Sequence, residues 1–480
     1  MPDTHASTET GAPPLTGPAR PLTAVEQEAD RRKALARAAM LGGPVLPTLL
    51  RLVLPTVTVL VAQTGVNIAE AYYVGLLGTD ALAGVALVFP VFMLMMMSGG
   101  GLGSGVASAV ARAIGAGRQH DADALVLHAV VLAVVVGALF TLGTVAFGPA
   151  LYGALGGESG ALDAALLYSN WLFAGAIPVW VVNLLAAALR GSGNVRLPAL
   201  VTLSGAVILI PFSPLLIFGF GPVPGLGIAG AGIAFALYYL GAAAVLLWTM
   251  TSGRAGLMLR LSRLRAGLFR DILKVGLPTA FSTVMTNLTV ILVTGAFGHF
   301  GTDALAGYGA ASRLAYVLVP LLFGLASAVL TMVGINLAAG QGLRARHAAG
   351  AGGLVGFGVT QLIGLVVALH PELWLRLFTE DPAVLATGAT YLQHIGPAYG
   401  VFGFGFVLSF AGQGAGRVFW PVTGVAARLV IGAGLGALFV GSWGAGMPAL
   451  SWILAASLLA YAVISSIVLV QRDTWRSSNA

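Results

Sequence analysis

From Pro47 onward the chain alternates between apolar runs and short polar breaks. The runs are about 20 residues long, enough for a helix to cross a bilayer core. Twelve are counted in the sequence, centred near Val61, Phe92, Leu132, Trp180, Ile208 and Tyr238, then near Val290, Leu322, Leu362, Gly403, Ala433 and Ala460. The pattern predicts an all-α membrane protein with twelve transmembrane helices. Residues 1–42 are polar, rich in Pro, Thr and Ala, and lack the apolar core of a secretory leader. Thr23 and Glu26 have the spacing of a capping box ahead of a charged stretch that ends near Met40. That segment reads either as a short interfacial helix or as a disordered cytosolic tail.

The polar breaks sort by charge. One set holds Arg31, Arg32, Lys33 and Arg37, then Arg112, Arg118, Arg190, Arg196, the stretch from Arg254 to Lys274, Arg344, Arg346, Arg417, Arg472 and Arg476. The alternate set holds Asp80, Glu158, Asp163, Asp303, Glu372, Glu380 and Asp381, with Arg376 as its one basic residue. Basic loops stay in the cytoplasm, so both termini are expected there, which requires an even number of spans. The expected units are a cytosolic tail (1–42), a six-helix bundle (43–252), a basic linker (253–274), a second six-helix bundle (275–470) and a short tail (471–480).

Composition agrees with this reading. The 480 residues are 58% hydrophobic and 9% charged, whereas a soluble domain carries roughly 25% charged residues. The 67 glycines are spread through the apolar runs, where small residues let membrane helices pack closely. The net charge of +7 comes from residues between the runs, with none of the basic-aromatic patches that would indicate nucleic acid. Cysteine is absent, which excludes a disulfide framework or thiolate metal site. Arginine, at 22 against 2 lysines, points to a GC-rich bacterial genome.

The sequence also repeats. Gly78-Thr79-Asp80-Ala81-Leu82-Ala83-Gly84 returns unchanged at Gly301–Gly307, an offset of 223 residues (301 − 78). The same offset pairs Pro55 with Pro278, Gly117 with Gly340, Tyr168 with Tyr391, Gly191 with Gly414, Gly193 with Gly416 and Pro198 with Pro421. Each half holds an even number of spans, so the halves share one orientation and form a parallel repeat. Transporters of that design place substrate between or within the bundles and rock one bundle against the other.

Several pieces, in this order, resemble the multidrug and toxic compound extrusion (MATE) family of the MOP flippase superfamily. They are Leu54-Pro55, Tyr73-Val74-Gly75, Gly101 through Gly117, Leu189-Arg190-Gly191-Ser192-Gly193-Asn194 and Leu215-Leu216-Ile217-Phe218-Gly219 in the first half. In the second half they are Ser312-Arg313-Leu314 and Gln413-Gly414-Ala415-Gly416-Arg417. The likeness runs from about Arg51 to Arg428 and implies a V-shaped pair of bundles in the bacterial inner membrane. It also implies a monomer that exports amphipathic or cationic organic compounds in exchange for H+ or Na+, with no cofactor. A lipid-linked precursor flippase of the same superfamily is an alternative. Such flippases often have additional spans and several cavity arginines. A membrane enzyme or channel lacks support, because no metal cluster, P-loop lysine, catalytic triad or filter repeat falls at membrane depth.

Glu70 is the acid placed well inside an apolar span. A charge at a helix centre costs about 2.5–3.5 kcal/mol on insertion scales, which makes such a residue a functional candidate. An acid there suits proton uptake and release. Gln63, Asn67 and Glu70 are spaced to share one helix face, and that face should turn toward the bundle interior. The resemblance adds Tyr168 and Asn183 of the fourth span, and it places Glu70 where relatives carry an Asp. Relatives also carry Asn and Asp where this chain has Leu209 and Ser213, and a second branch carries acids where the seventh span has Asn287. A lone carboxylate is a poor set of oxygen ligands for sodium, so proton coupling is favoured. Arg313 is a second intramembrane charge, a candidate for a substrate anion or for structural pairing. Arg428, nearer the basic end of its span, is expected to snorkel toward the cytoplasm.

Overall fold

A computed structural model describes residues 37–155, 158–220, 223–444 and 446–475. The capping-box segment at Thr23 and Glu26 lies outside the described residues. Lipid offers backbone groups no hydrogen-bond partner, so a spanning segment must close its bonds internally as a helix. The first half runs Val45–Gly75, Thr79–Gly115, Gln119–Ala154, Ser159–Ala174 with Ala176–Gly191, Arg196–Phe218 and Ile228–Thr251. The second runs Ala266–Gly298, Thr302–Ala338, Gly342–Leu369, Pro382–Gly414, Phe419–Ser442 and Met447–Val470. Eleven of these pass as single spans, and the fourth is a pair of helices bent by 47°, which makes twelve. The sequence reads that fourth run as one helix. The break falls at Gly175, where a Cβ would stand 2.8 Å from the Ala236 methyl of the sixth span. A two-residue hairpin, β1 (Gly219–Phe220) with β2 (Val223–Pro224), follows the fifth span.

The repeat is visible in the helix ends. Spans two to five begin at Thr79, Gln119, Ser159 and Arg196, and spans eight to eleven begin at Thr302, Gly342, Pro382 and Phe419, the same 223-residue offset. The turns entering the second and eighth spans share a geometry as well. Gly78 has φ +111° and Gly301 has φ +99°, values that glycine adopts without a Cβ clash.

The lobes meet along a seam near the basic loops. Span two lies so close to span seven that a Cβ on Gly105 would stand 2.7 Å from the Gly276 backbone nitrogen, and one on Gly101 2.6 Å from that of Ala280. At the pseudo-twofold axis, a Cβ on Gly334 would stand 2.8 Å from the Ala111 methyl. Position 334 is the repeat counterpart of position 111. Two hydroxyls cross the seam. Ser108 donates to the Gln413 carbonyl, and Thr331 donates to the Arg190 carbonyl at 2.9 Å. The offset relates both donors and both acceptors. Each acceptor lies in the last turn of its helix and also accepts the N–H of the glycine three residues on, Gly193 at 2.9 Å for Arg190 and Gly416 at 3.0 Å for Gln413. Arg112 in turn donates to Ser108.

The connector between lobes is held along the first lobe. The Met258 N–H donates to Asp123 at 2.9 Å, and the Arg265 guanidinium pairs with Asp121 at 2.7 Å. The Arg265 N–H donates to His128 Nε2 at 2.9 Å, which leaves Nδ1 as the donor to the Ala124 carbonyl at 2.8 Å.

Because Gly105 faces backbone rather than a flexible side chain, Gly105→Ala should destabilise the protein by about 1–3 kcal/mol through overpacking. Gly100→Ala, where nothing lies within 4 Å, should not. Thermal unfolding of the two variants in detergent checks this, and equal midpoints would refute close packing at the seam.

Candidate functional site

The acidic end of the first lobe brings together three residues from three helices. Glu70 is half-buried on the first span, and its Oε2 accepts a hydrogen bond of 3.0 Å from the Ser213 hydroxyl of the fifth span. Ser213 is fully buried between Pro211 and Pro214. Tyr168 of the fourth span lies within electrostatic reach of Glu70. Glu70 precedes Gly75, the end of its helix, by five residues, and Ser213 precedes Phe218 by the same count. At 1.5 Å per residue both stand about 7.5 Å inside the helix ends. Val74, Ala81, Ile217, Ile228 and Ala231 form a small apolar cluster against which Tyr168 packs, so this carboxylate sits beside an apolar wall.

The other candidates are distributed. Gln63, two turns deeper on the first span, is half-buried. The Asn67 side chain lies outside the described ones. Asn183 donates to the Val179 carbonyl at 3.0 Å and packs beside Gly99 of the second span. Asn287 donates to the Thr283 carbonyl at 2.9 Å and reaches Met97 Sδ of the other lobe at 3.2 Å, which places it at the seam. Arg313 stands apart. It falls between helices Thr302–Ser312 and Leu314–Ala338, is exposed, and lies 5.1 Å over the ring of Phe378 in the loop after the ninth span.

Two residues change meaning in three dimensions. In the sequence Ser213 is a departure from the pattern of relatives, yet here it is the hydrogen-bond partner of Glu70. The only linear signal was a hydroxyl flanked by prolines. Arg428 does not snorkel toward the basic end. Its guanidinium lies 5.4 Å over Phe402, inside the second lobe, because phenyl and phenol faces there offer it a closer partner than interfacial water.

The MatE family model matches residues 55–215 and 278–438, two segments again 223 residues apart. The chain is 28% identical over 380 residues to a FAD transporter of Shewanella oneidensis, covering 78% of this chain and 83% of that one. It is 26% identical over 361 residues to a probable multidrug resistance protein NorM of Thermotoga maritima, covering 72% and 75%. Its fold matches a solved outward-facing MATE transporter of the MOP superfamily with a TM-score of 0.82 at 24% identity, covering 91% and 97%. Members of this family are membrane transporters, not enzymes. Two matched segments, each reaching into five of the six spans of its half, cover most of the chain, which therefore belongs to the MatE family of multidrug efflux transporters.

Proposed function

We propose that the protein is a proton-coupled antiporter that exports amphipathic organic compounds across the bacterial cytoplasmic membrane, working as a monomer with Glu70 as its coupling acid. The hydrogen bond between Glu70 and Ser213 carries this reading. It ties the first span to the fifth through a carboxylate beside an apolar wall, and protonation removes the charge that the Ser213 hydroxyl serves. Proton uptake then loosens one helix pairing within the lobe, a local change that biases a two-state rearrangement. One carboxylate and one hydroxyl make a thin oxygen set for sodium, which favours the proton.

The charge rule puts the basic face in the cytoplasm. The seam hydrogen bonds of Ser108 and Thr331 then close the cytoplasmic side, and Glu70 stands toward the outside. Export needs the opposite state as well, so both seam bonds must break in every cycle. Pro55 and Pro278, at equivalent places in spans one and seven, each remove a backbone hydrogen bond and give those helices a point to bend.

In proteoliposomes loaded with ethidium, an outwardly useful pH gradient should drive transport by the native protein and not by Glu70→Gln. Ser213→Ala should retain transport with turnover lowered several-fold. Equal transport by Glu70→Gln would remove this acid from coupling, and transport driven by a sodium gradient alone would replace the proton.

A second test follows from the seam. Each neutral hydrogen bond is worth about 0.5–1.5 kcal/mol net, so Ser108→Ala with Thr331→Val should shift the balance toward cytoplasmic opening by about 5- to 150-fold. The chain has no cysteine, so spin labels at His120→Cys and Leu343→Cys, both exposed on that face, report the lobe separation directly. An unchanged distance distribution would show that these bonds do not hold the seam.

A further inference from the structure

The second lobe holds a cation where the first holds none. Arg428 lies nine residues after Phe419, the start of its span, and directly before a π-helical segment, Leu429–Leu435. Such segments concentrate at functional positions. Besides Phe402, the phenols of Tyr461, Tyr391, Tyr308 and Tyr399 lie within electrostatic reach of its guanidinium, and no carboxylate is among those groups. The aromatics form a continuous wall. Phe297 stacks on Tyr308 at 4.3 Å with the planes 8° apart, and Tyr391 stands edge-on to both, at 5.7 and 5.2 Å. The Tyr391 and Tyr399 hydroxyls lie within hydrogen-bonding reach of each other.

The repeat provides an internal control. At the 223-residue offset, Tyr391 and Tyr461 correspond to Tyr168 and Tyr238, so both lobes keep this tyrosine pair. Phe297, Tyr308, Tyr399 and Phe402 correspond to Val74, Val85, Ala176 and Val179. Arg428 corresponds to Gly205, where the Tyr238 ring already occupies the space a side chain would need. Conversely, Glu70 corresponds to Val293. The fold thus builds the equivalent positions of the first lobe without an arginine or these added aromatics, and scaffolding does not explain them in the second. Beside the shared tyrosine stands a carboxylate in the first lobe and a guanidinium in the second.

An uncompensated arginine at this depth is costly. Ring faces offset part of that cost, but neutral phenols leave the charge in place. An anion would neutralise it through paired charge-assisted hydrogen bonds, and the buried Tyr308, Tyr391 and Tyr399 surround that position with aromatic side chains.

We propose that the second lobe contains a binding site for an organic anion, a carboxylate or phosphate on a flat aromatic scaffold, with Arg428 as its charge anchor and Tyr308, Tyr391 and Tyr399 as its wall. This deepens the transport reading by naming a substrate class, and it rests on that reading only for the claim that the bound compound is carried across.

The test reads binding rather than transport, so it stands whether or not Glu70 couples to protons. Purified protein in phosphatidylcholine nanodiscs is titrated with 5-carboxyfluorescein and followed by fluorescence polarisation. Saturable binding is expected, with displacement by 2-naphthoic acid and about tenfold weaker displacement by its methyl ester, the loss of one charge-assisted contact. Arg428→Gln should weaken dye binding by a similar factor, and Arg428→Lys should retain part of it. Absence of saturable binding, equal competition by acid and ester, or unchanged binding in a folded Arg428→Gln protein would each overturn the proposal. Should that variant fail to fold, the acid–ester comparison on the native chain decides alone. Loss of dye binding when phosphatidylglycerol replaces part of the lipid would assign the site to a lipid headgroup and overturn it too.

Discussion

Inside a bilayer an unpaired polar group has no water to turn to, and the hydroxyls of this protein show how that requirement organises the rest. Most donate back to the carbonyl four residues earlier, as Thr56, Thr58, Ser104 and Thr279 do. Those that reach another helix mark the places where the architecture departs from straight rods. Thr141 donates to the Phe173 carbonyl at 2.6 Å, beside the break in the fourth span. Thr360 donates to the Tyr399 carbonyl at 2.9 Å, where the tenth span is interrupted at Gly396–Ala398. Carbonyls beside a break thus accept a hydroxyl from the neighbouring span. Ser108 and Thr331 extend the same solution across the lobe boundary, and Ser213 applies it to a carboxylate.

The lobes differ in what they add to this common frame. Close approach at the seam is bought with glycine and alanine, which contribute area through backbone contact rather than through side chains. Glu70 and Arg428 lie away from the hydroxyls that cross the seam, and they place opposite charges in the two lobes. Duplication preserved the helix ends and turn geometry while each copy acquired its own ionisable group, Glu70 in one and Arg428 in the other. A frame whose hydrogen bonds are settled locally tolerates that divergence, because a change in one bundle leaves the backbone pairing of the other untouched.

Much of this was readable along the chain. Span number and the 223-residue repeat follow from periodicity and spacing, since each span must be apolar over its own length. Glu70 stood out for the same reason, as a departure from local uniformity. The partners did not. Ser213 lies 143 positions from Glu70, and nothing in either helix announces the pairing. Arg428 was misplaced because distance from the end of a span says nothing about which neighbour a long side chain meets. The break at Gly175 escaped notice because glycine is common throughout these helices, and only the approach of Ala236 distinguishes this one.

The connector between the lobes has mechanical meaning. Asp121, Asp123 and His128 clamp it to the first lobe as far as Arg265, and the seventh span begins at the very next residue, Ala266. It is therefore not a slack tether. It is fastened to the first lobe at Met258 and again at Arg265, which leaves the backbone torsions next to Arg265 as the junction with the second lobe. Any swing of the second lobe is delivered first as a tilt of the seventh span, the helix that lies against Gly101 and Gly105.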